Sequence, residues 1–157
     1  MTVTDLLKAA RAKGVRIAVA ESCTGGMISA ALTDVAGSSD VLECGFVTYS
    51  NLSKILLLGV GRATLDALGA VSEDVAREMA DGALERSFAD LVVSVTGIAG
   101  PGGSEFKPEG RVCFAVAARG QPTTVETVEF GALGRAEVRQ ATVSHALTLL
   151  ARAVQAA

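Results

Sequence analysis

The chain has 157 residues, a formal net charge of −3, 50% apolar and 20% charged residues, which suits one globular domain over residues 1–157 and excludes a disordered chain. Aromatic residues make up only 4% and tryptophan is absent, so the core has to be built from Ala, Val, Leu and Ile. No basic run or basic-aromatic patch argues for a nucleic-acid partner, and no apolar stretch is long enough to cross a bilayer.

Thr4 to Lys13 reads as a first helix, capped by Thr4, with Leu6, Leu7 and Ala10 on one face and Gly14 as its stop. Val15–Ala20 is a short apolar strand. Ala20-Glu21-Ser22-Cys23-Thr24-Gly25-Gly26 then turns the chain into a helix from Gly26 to Val35. A second strand, Val41–Tyr49, leads through Ser50-Asn51 into a helix carrying Lys54, which Gly59-Val60-Gly61 breaks. Arg62–Leu68 reads as a short helix. Ser72–Phe88 is the clearest one, with Ser72 as N-cap, Glu73 and Asp74 in its first turn, and Val75, Met79 and Ala83 in an apolar stripe.

Asp90–Thr96 is a nearly continuous apolar run of the kind found in sheets buried on both faces. Gly97-Ile98-Ala99-Gly100-Pro101-Gly102-Gly103 follows at once, and the loop continues to Glu109. Gly110–Ala118 and Pro122–Phe130 form an antiparallel hairpin. A final helix runs from Gly134 to Ala157, with Val138, Thr142, His145 and Leu149 near one face. Alternating helices and strands with a late hairpin imply an α/β fold, a three-layer α/β/α sandwich with a mixed, mostly parallel sheet. Ligands in such folds bind beyond the carboxyl ends of the strands. The loops after Ala20, Tyr49 and Thr96 leave strands in that manner, so they are expected to line one site.

Those loops carry the candidate chemistry. The free N–H groups of a helix starting near Gly26 would face an anion in the turn, and Ser22 stands as either a nucleophile or a helix cap. A serine needs a base. His145 is the only histidine and reads as a helix-face residue beside the core. Lys54 lies one helical turn past the Tyr49 strand end and reads as either a desolvated base or an exposed helix lysine. Cys23 is a rival nucleophile without an obvious base. Cys44 and Cys113 read as core residues. Three cysteines without a CxxC pair, and an N-terminus without a signal-peptide pattern, fit a cytoplasmic protein. No cluster has metal-ligand spacing, so neither metal nor cofactor is expected.

Four motifs in order, Ala20–Gly26, Gly45–Asn51 with Lys54, Gly69–Ser72 and Thr96–Gly103, resemble the CinA C-terminal domain family, the nicotinamide-nucleotide amidohydrolase (PncC, NMN deamidase) group. The resemblance covers essentially the whole chain. Long members carry an extra N-terminal domain, which is not expected here. The resemblance implies hydrolysis of the carboxamide of nicotinamide mononucleotide to nicotinate mononucleotide and ammonia, in pyridine nucleotide recycling. It implies Ser22 as nucleophile, Lys54 as general base and Tyr49 as the group that orients or relays a proton. Thr24, Gly25 and Gly26, with Thr96, Gly97, Gly100, Gly102 and Gly103, match the family's glycine-rich loops and are expected to serve the oxyanion and the phosphate. The family's Gly-Asp-Arg appears here as Leu133-Gly134-Arg135, without the aspartate, and Arg135 or Arg139 is expected to bind phosphate. A small-molecule nucleotide is thus the expected partner, with no nucleic acid and no membrane, in a homodimer or higher homo-oligomer. A nucleotide-binding module without turnover and an amidohydrolase for a different small amide are the alternatives. A purely structural subunit leaves the three polar loops unexplained.

Overall fold

The computed structural model describes every residue except Glu105. Its two apolar runs, β1 (Ile17–Glu21) and β3 (Leu91–Gly97), lie side by side at the centre of a five-stranded sheet and are almost wholly buried. β2 (Leu42–Val47) and β3 both pair with β1 in parallel. β4 (Arg111–Ala118) runs antiparallel to β3, and β5 (Thr124–Glu129) antiparallel to β4, in the order β2-β1-β3-β4-β5.

Helices cover both faces of this sheet. α1 (Val3–Lys13), α2 (Met27–Thr33) and α6 (Arg135–Ala156) pack on one side, where Leu6, Ile28 and Leu150 meet Ile17, Val93 and Phe114. α3 (Asn51–Leu58), α4 (Arg62–Leu68) and α5 (Glu73–Glu85) pack on the other, where Leu58, Leu65 and Met79 meet Ala18, Val92 and Ala115. The small side chains on the second face of β1 let the helices come close. This is the expected three-layer α/β/α sandwich. No described helix is long and apolar enough to cross a membrane.

Several expectations shift. α1 starts one residue early: Thr2, not Thr4, caps it in a reciprocal capping box with Asp5. β2 stops at Val47 rather than Tyr49, and α5 at Glu85 rather than Phe88. Cys44 is only half-buried because β2 is an edge strand, whereas Cys113 is buried in β4. The buried stripe of α6 contains Val138, Thr142, Ala146, Leu150 and Val154. His145 and Leu149, expected on it, lie at its margin, about a quarter turn from the buried line.

Register positions the site. Glu21 is level with Val47 of β2 and with Val95 of β3. The segments after β1 and β2, beginning at Ser22 and Thr48, therefore lie at the same end of the sheet as the last residues of β3 and the loop that leaves it at Ile98.

Candidate active site

Ser50 caps α3, its hydroxyl accepting from Ser53 N at 3.1 Å, and Lys54 follows one turn into the helix. This turn aims the lysine back under its own loop. The residue is 1% exposed. Its Nζ lies 2.9 Å from Ser22 Oγ, 2.8 Å from the carbonyl of Thr48 and 3.3 Å from that of Tyr49. Burial lowers its pKa from 10.5 to about 8, because desolvation penalises the ammonium. Among the described residues no carboxylate forms an ion pair with it. A neutral lysine has two N–H donors and one lone pair. Two carbonyl acceptors and one hydroxyl donor match that set.

The rivals of this pair sit elsewhere or are muted. Cys23 borders the pocket, but burial pushes its thiol up to about 11, so little thiolate forms near neutrality. His145 contacts Glu126 of β5 and packs against Phe114 and Phe130, away from Ser22. A Ser–His–Asp arrangement is therefore absent among the described residues. Ser22 is not a helix cap either, since α2 has no side-chain cap at its N-cap residue, Gly26.

The turn after Ser22 differs from expectation. The carboxylate of Glu21 accepts from Gly26 N, Ile28 N and Ser29 N, and so occupies the donors that were expected to face an anion. Thr24 is buried and its hydroxyl donates to the same carboxylate at 2.6 Å. Thr24, Gly25 and Gly26 do not line the pocket. Arg139 lies behind them, bonded to the carbonyls of Cys23 and Thr24 at 3.1 and 3.2 Å, and does not line it either.

Ser22 and Lys54 open instead onto a cavity of about 330 Å³ bounded by Tyr49, Thr96, the Gly97–Ser104 segment and Arg135. That size falls at the lower end of small-molecule sites, which run from about 300 to 1,000 Å³. Thr96 Oγ1 donates to the carbonyl of Ala70 at 2.9 Å, joining β3 to the segment before α5. Gly97, Gly100, Gly102 and Gly103 all border the cavity. The Gly102 N–H, however, is taken by Glu109 Oε1 at 2.6 Å, and Glu109 Oε2 accepts from Gly134 N at 3.0 Å. One carboxylate thus ties the glycine loop to the start of α6. Gly100 has φ +94°, and a Cβ there would lie 2.6 Å from Glu109 Cδ, so only glycine fits.

Arg135 closes the mouth. It donates to the Gly100 carbonyl at 2.7 Å and to the hydroxyl of Tyr49 at 2.6 Å. Tyr49 therefore meets Lys54 through its backbone carbonyl, while its hydroxyl belongs to Arg135. In the sequence Glu21, Thr48, Asn51, Ala70 and Val71 stand only as members of the motifs and Glu109 only as a loop residue, yet Asn51, Ala70 and Val71 border the cavity and Glu21, Thr48 and Glu109 brace its walls. For Glu21 there is a signal: an acidic residue ends an apolar strand just ahead of a helix start with no capping side chain of its own.

The fold and the site together define an α/β/α protein with a serine bonded to a buried lysine at the carboxyl ends of adjacent parallel strands. The profile of the CinA C-terminal domain matches residues 2–154, and the chain belongs to that family. A CinA-like protein of Chlorobium phaeobacteroides is 57% identical over 121 residues, which is 75% of this chain and 29% of that protein. A CinA-like protein of a Mycobacterium species is 49% identical over 155 residues, 98% of this chain and 37% of that protein. The chain spans about a third of the length of such curated relatives. Among solved structures, the competence/damage inducible protein CihA of Agrobacterium tumefaciens superposes with a TM-score of 0.89 at 47% identity, covering 98% of this chain and 95% of that one. A CinA superfamily protein of Klebsiella pneumoniae superposes with a TM-score of 0.93 at 35% identity, covering 99% and 96%.

Proposed function

We propose that the chain is a nicotinamide-nucleotide amidohydrolase that converts the carboxamide of nicotinamide mononucleotide to the carboxylate, with release of ammonia, as the family resemblance implies. The observation that carries this reading is the buried amine of Lys54, 2.9 Å from Ser22 Oγ, with backbone carbonyls on its other sides. A lysine with its pKa lowered to about 8 holds a useful neutral fraction near neutrality and can take the serine proton.

In this mechanism neutral Lys54 accepts the proton of Ser22 as Oγ attacks the carboxamide carbon. The carbonyl oxygen becomes an oxyanion, stabilised by backbone N–H groups at the cavity wall. Those of Ile98 and Gly102 are already bonded to Arg111 O and Glu109, and Pro101 has none, which leaves those of Ala99, Gly100 and Gly103 for this role. The carbon–nitrogen bond then breaks, Lys54 returns its proton to the departing nitrogen, and ammonia leaves an ester on Ser22. Water attacks the ester with Lys54 again as base; the bond to Oγ breaks as Lys54 passes that proton to Ser22 Oγ, and the product leaves as the carboxylate, its acid proton going to solvent. Arg135 presents its guanidinium at the mouth, where it suits the phosphate, and Tyr49 orients it. No metal or cofactor takes part. The reading includes a cytoplasmic homodimer or higher homo-oligomer.

The test is ammonia release from nicotinamide mononucleotide by wild type and Ser22→Ala, without added metal. Release by wild type alone supports the reading. Binding of the nucleotide without release by either protein makes the chain a binding module. Equal release by both removes Ser22 from the chemistry.

A further inference from the structure

Two oppositely charged side chains meet the turn that follows Ser22 from its two sides, and neither lines the cavity. Glu21 is completely buried. Its Oε1 accepts from Thr24 Oγ1 at 2.6 Å, Gly26 N at 3.2 Å and Ile28 N at 3.0 Å. Its Oε2 accepts from Ser29 N at 3.0 Å and Ser29 Oγ at 2.9 Å. No described lysine or arginine forms an ion pair with it. A carboxylate buried without a cation is costly unless such donors surround it, so these five bonds oppose any rearrangement of the turn.

Arg139 approaches the same turn from α6. Its Nε donates to Cys23 O at 3.1 Å and its Nη2 to Thr24 O at 3.2 Å. It forms no ion pair among the described residues. The carboxylate thus ties Thr24 and Gly26 of the turn to the start of α2, and the guanidinium holds the turn's carbonyls at Cys23 and Thr24. Ser22 has little else to fix it. Its amide donates to Val95 O at 3.2 Å, its carbonyl accepts from Gly25 N within the same turn, and its Oγ bonds Lys54.

We propose that Glu21 and Arg139 are positioning residues: together they clamp the Cys23–Gly26 turn and so hold Ser22 Oγ against Lys54 Nζ. The assignment rests on the Ser22 chemistry proposed above, but not on which amide the enzyme takes. It also separates two arginines that stand four residues apart on one helix. Arg135 reads the ligand, and Arg139 braces the nucleophile. A reacting oxygen displaced by about 1 Å loses on the order of 10²-fold in rate, so loosening the turn appears in kcat and not in binding.

Arg139→Ala carries the test, because removing a half-buried side chain at the turn's back leaves both hydrophobic cores untouched. The expected result is a kcat lowered by about 10- to 100-fold with KM within about twofold, and partial recovery when free guanidinium is added to refill the site. Arg139→Lys keeps the charge but cannot bond both carbonyls, and is expected to fall between wild type and alanine. A second readout needs no amide: labelling of Ser22 by a fluorophosphonate, followed by intact mass. It is expected to slow in Arg139→Ala and in Glu21→Gln, and to recover with guanidinium in the former. A raised KM with unchanged kcat and unchanged labelling would assign Arg139 to the ligand and overturn the clamp. Unchanged kcat, KM and labelling overturn it equally, as does a wild-type Ser22 inert to the probe. If wild type is labelled and the variants are slowed while nicotinamide mononucleotide is not hydrolysed, the clamp stands and only the substrate assignment fails.

Discussion

Lys54 Nζ and Ser22 Oγ are 32 residues apart in the chain and 2.9 Å apart in space. The contact joins the end of β1 to the first turn of α3, two elements that meet only because β1 and β2 pair in parallel. On the proposed mechanism neither residue can be replaced without loss. Ser22→Ala and Lys54→Ala are each expected to lower ammonia release by roughly 10³-fold or more, and the double variant by little beyond either single one. Cys23→Ala is expected to keep most of the turnover, since its buried thiol is pushed up to about 11 and forms little thiolate near neutrality. Steady-state assays of the four proteins decide it, and a dead Cys23→Ala that remains folded would reverse the assignment.

The rate is expected to depend on pH with one rising limb. Lys54 must be neutral to accept a proton, and burial lowers its pKa to about 8. Below that value kcat/KM rises about tenfold per pH unit, and above it the profile flattens. A profile flat between about pH 6 and 9 rules out Lys54 as the titrating base.

Stability carries the same group with its own sign. Below about pH 8 the lysine is charged in both folded and unfolded chains, and the cost of burying the ammonium is fully present. Between about 8 and 10.5 the unfolded chain keeps the proton that the folded chain has lost, so folding becomes more favourable as pH rises. Relative to Lys54→Met, which cannot titrate, wild type is expected to gain roughly 3 kcal/mol across that window. Urea unfolding of both proteins at the two ends of the window measures it. A constant difference between them contradicts the depressed value.

Arg135 joins Tyr49 and Gly100 across the cavity mouth, where a phosphate would compete for its guanidinium. Arg135→Ala is expected to raise KM for the mononucleotide about tenfold with kcat changed much less. Hydrolysis of the corresponding nucleoside, which lacks the phosphate, should be indifferent to the change. Equal loss on both compounds would place Arg135 in the chemistry or in the structure of the mouth.

Gly82 supplies a prediction about the fold. It lies buried in α5, and a methyl group there would collide with the carbonyl of Leu58 at the end of α3. Gly82→Ala, a gain for an isolated helix, is expected instead to destabilise the protein by about 1–3 kcal/mol or more. A thermal melt checks the sign, and a higher midpoint would show that the two helices can separate freely.

Local pattern carried much of this protein. Among the described residues, local pattern places the five strands and six α-helices to within a few residues, because burial of one face or both leaves its period in the chain, but it misses the short 3-10 helix Ser38–Asp40. The β4–β5 hairpin was legible from its short turn, and α5 from its cap and stripe. Ser22 and Lys54 stood out because strand ends of an α/β sheet put their polar loops at one end, whatever the details of packing. Partners across the fold were not legible in the same way. Nothing local says that Glu21 turns toward α2 and takes its N–H groups, or that Glu109 takes that of Gly102. Nor does it say which of Arg135 and Arg139 faces the cavity, since four residues on a helix share a side but reach different neighbours. Cys44 reads as core until β2 is seen to be an edge, and Gly82 reads as a flaw until Leu58 is seen against it. Neighbours along the chain suffice for the elements, their order and which polar residues stand at the strand ends. The tertiary structure alone decided which polar groups are already satisfied and which remain for a ligand. That choice depends on distances between residues dozens of positions apart.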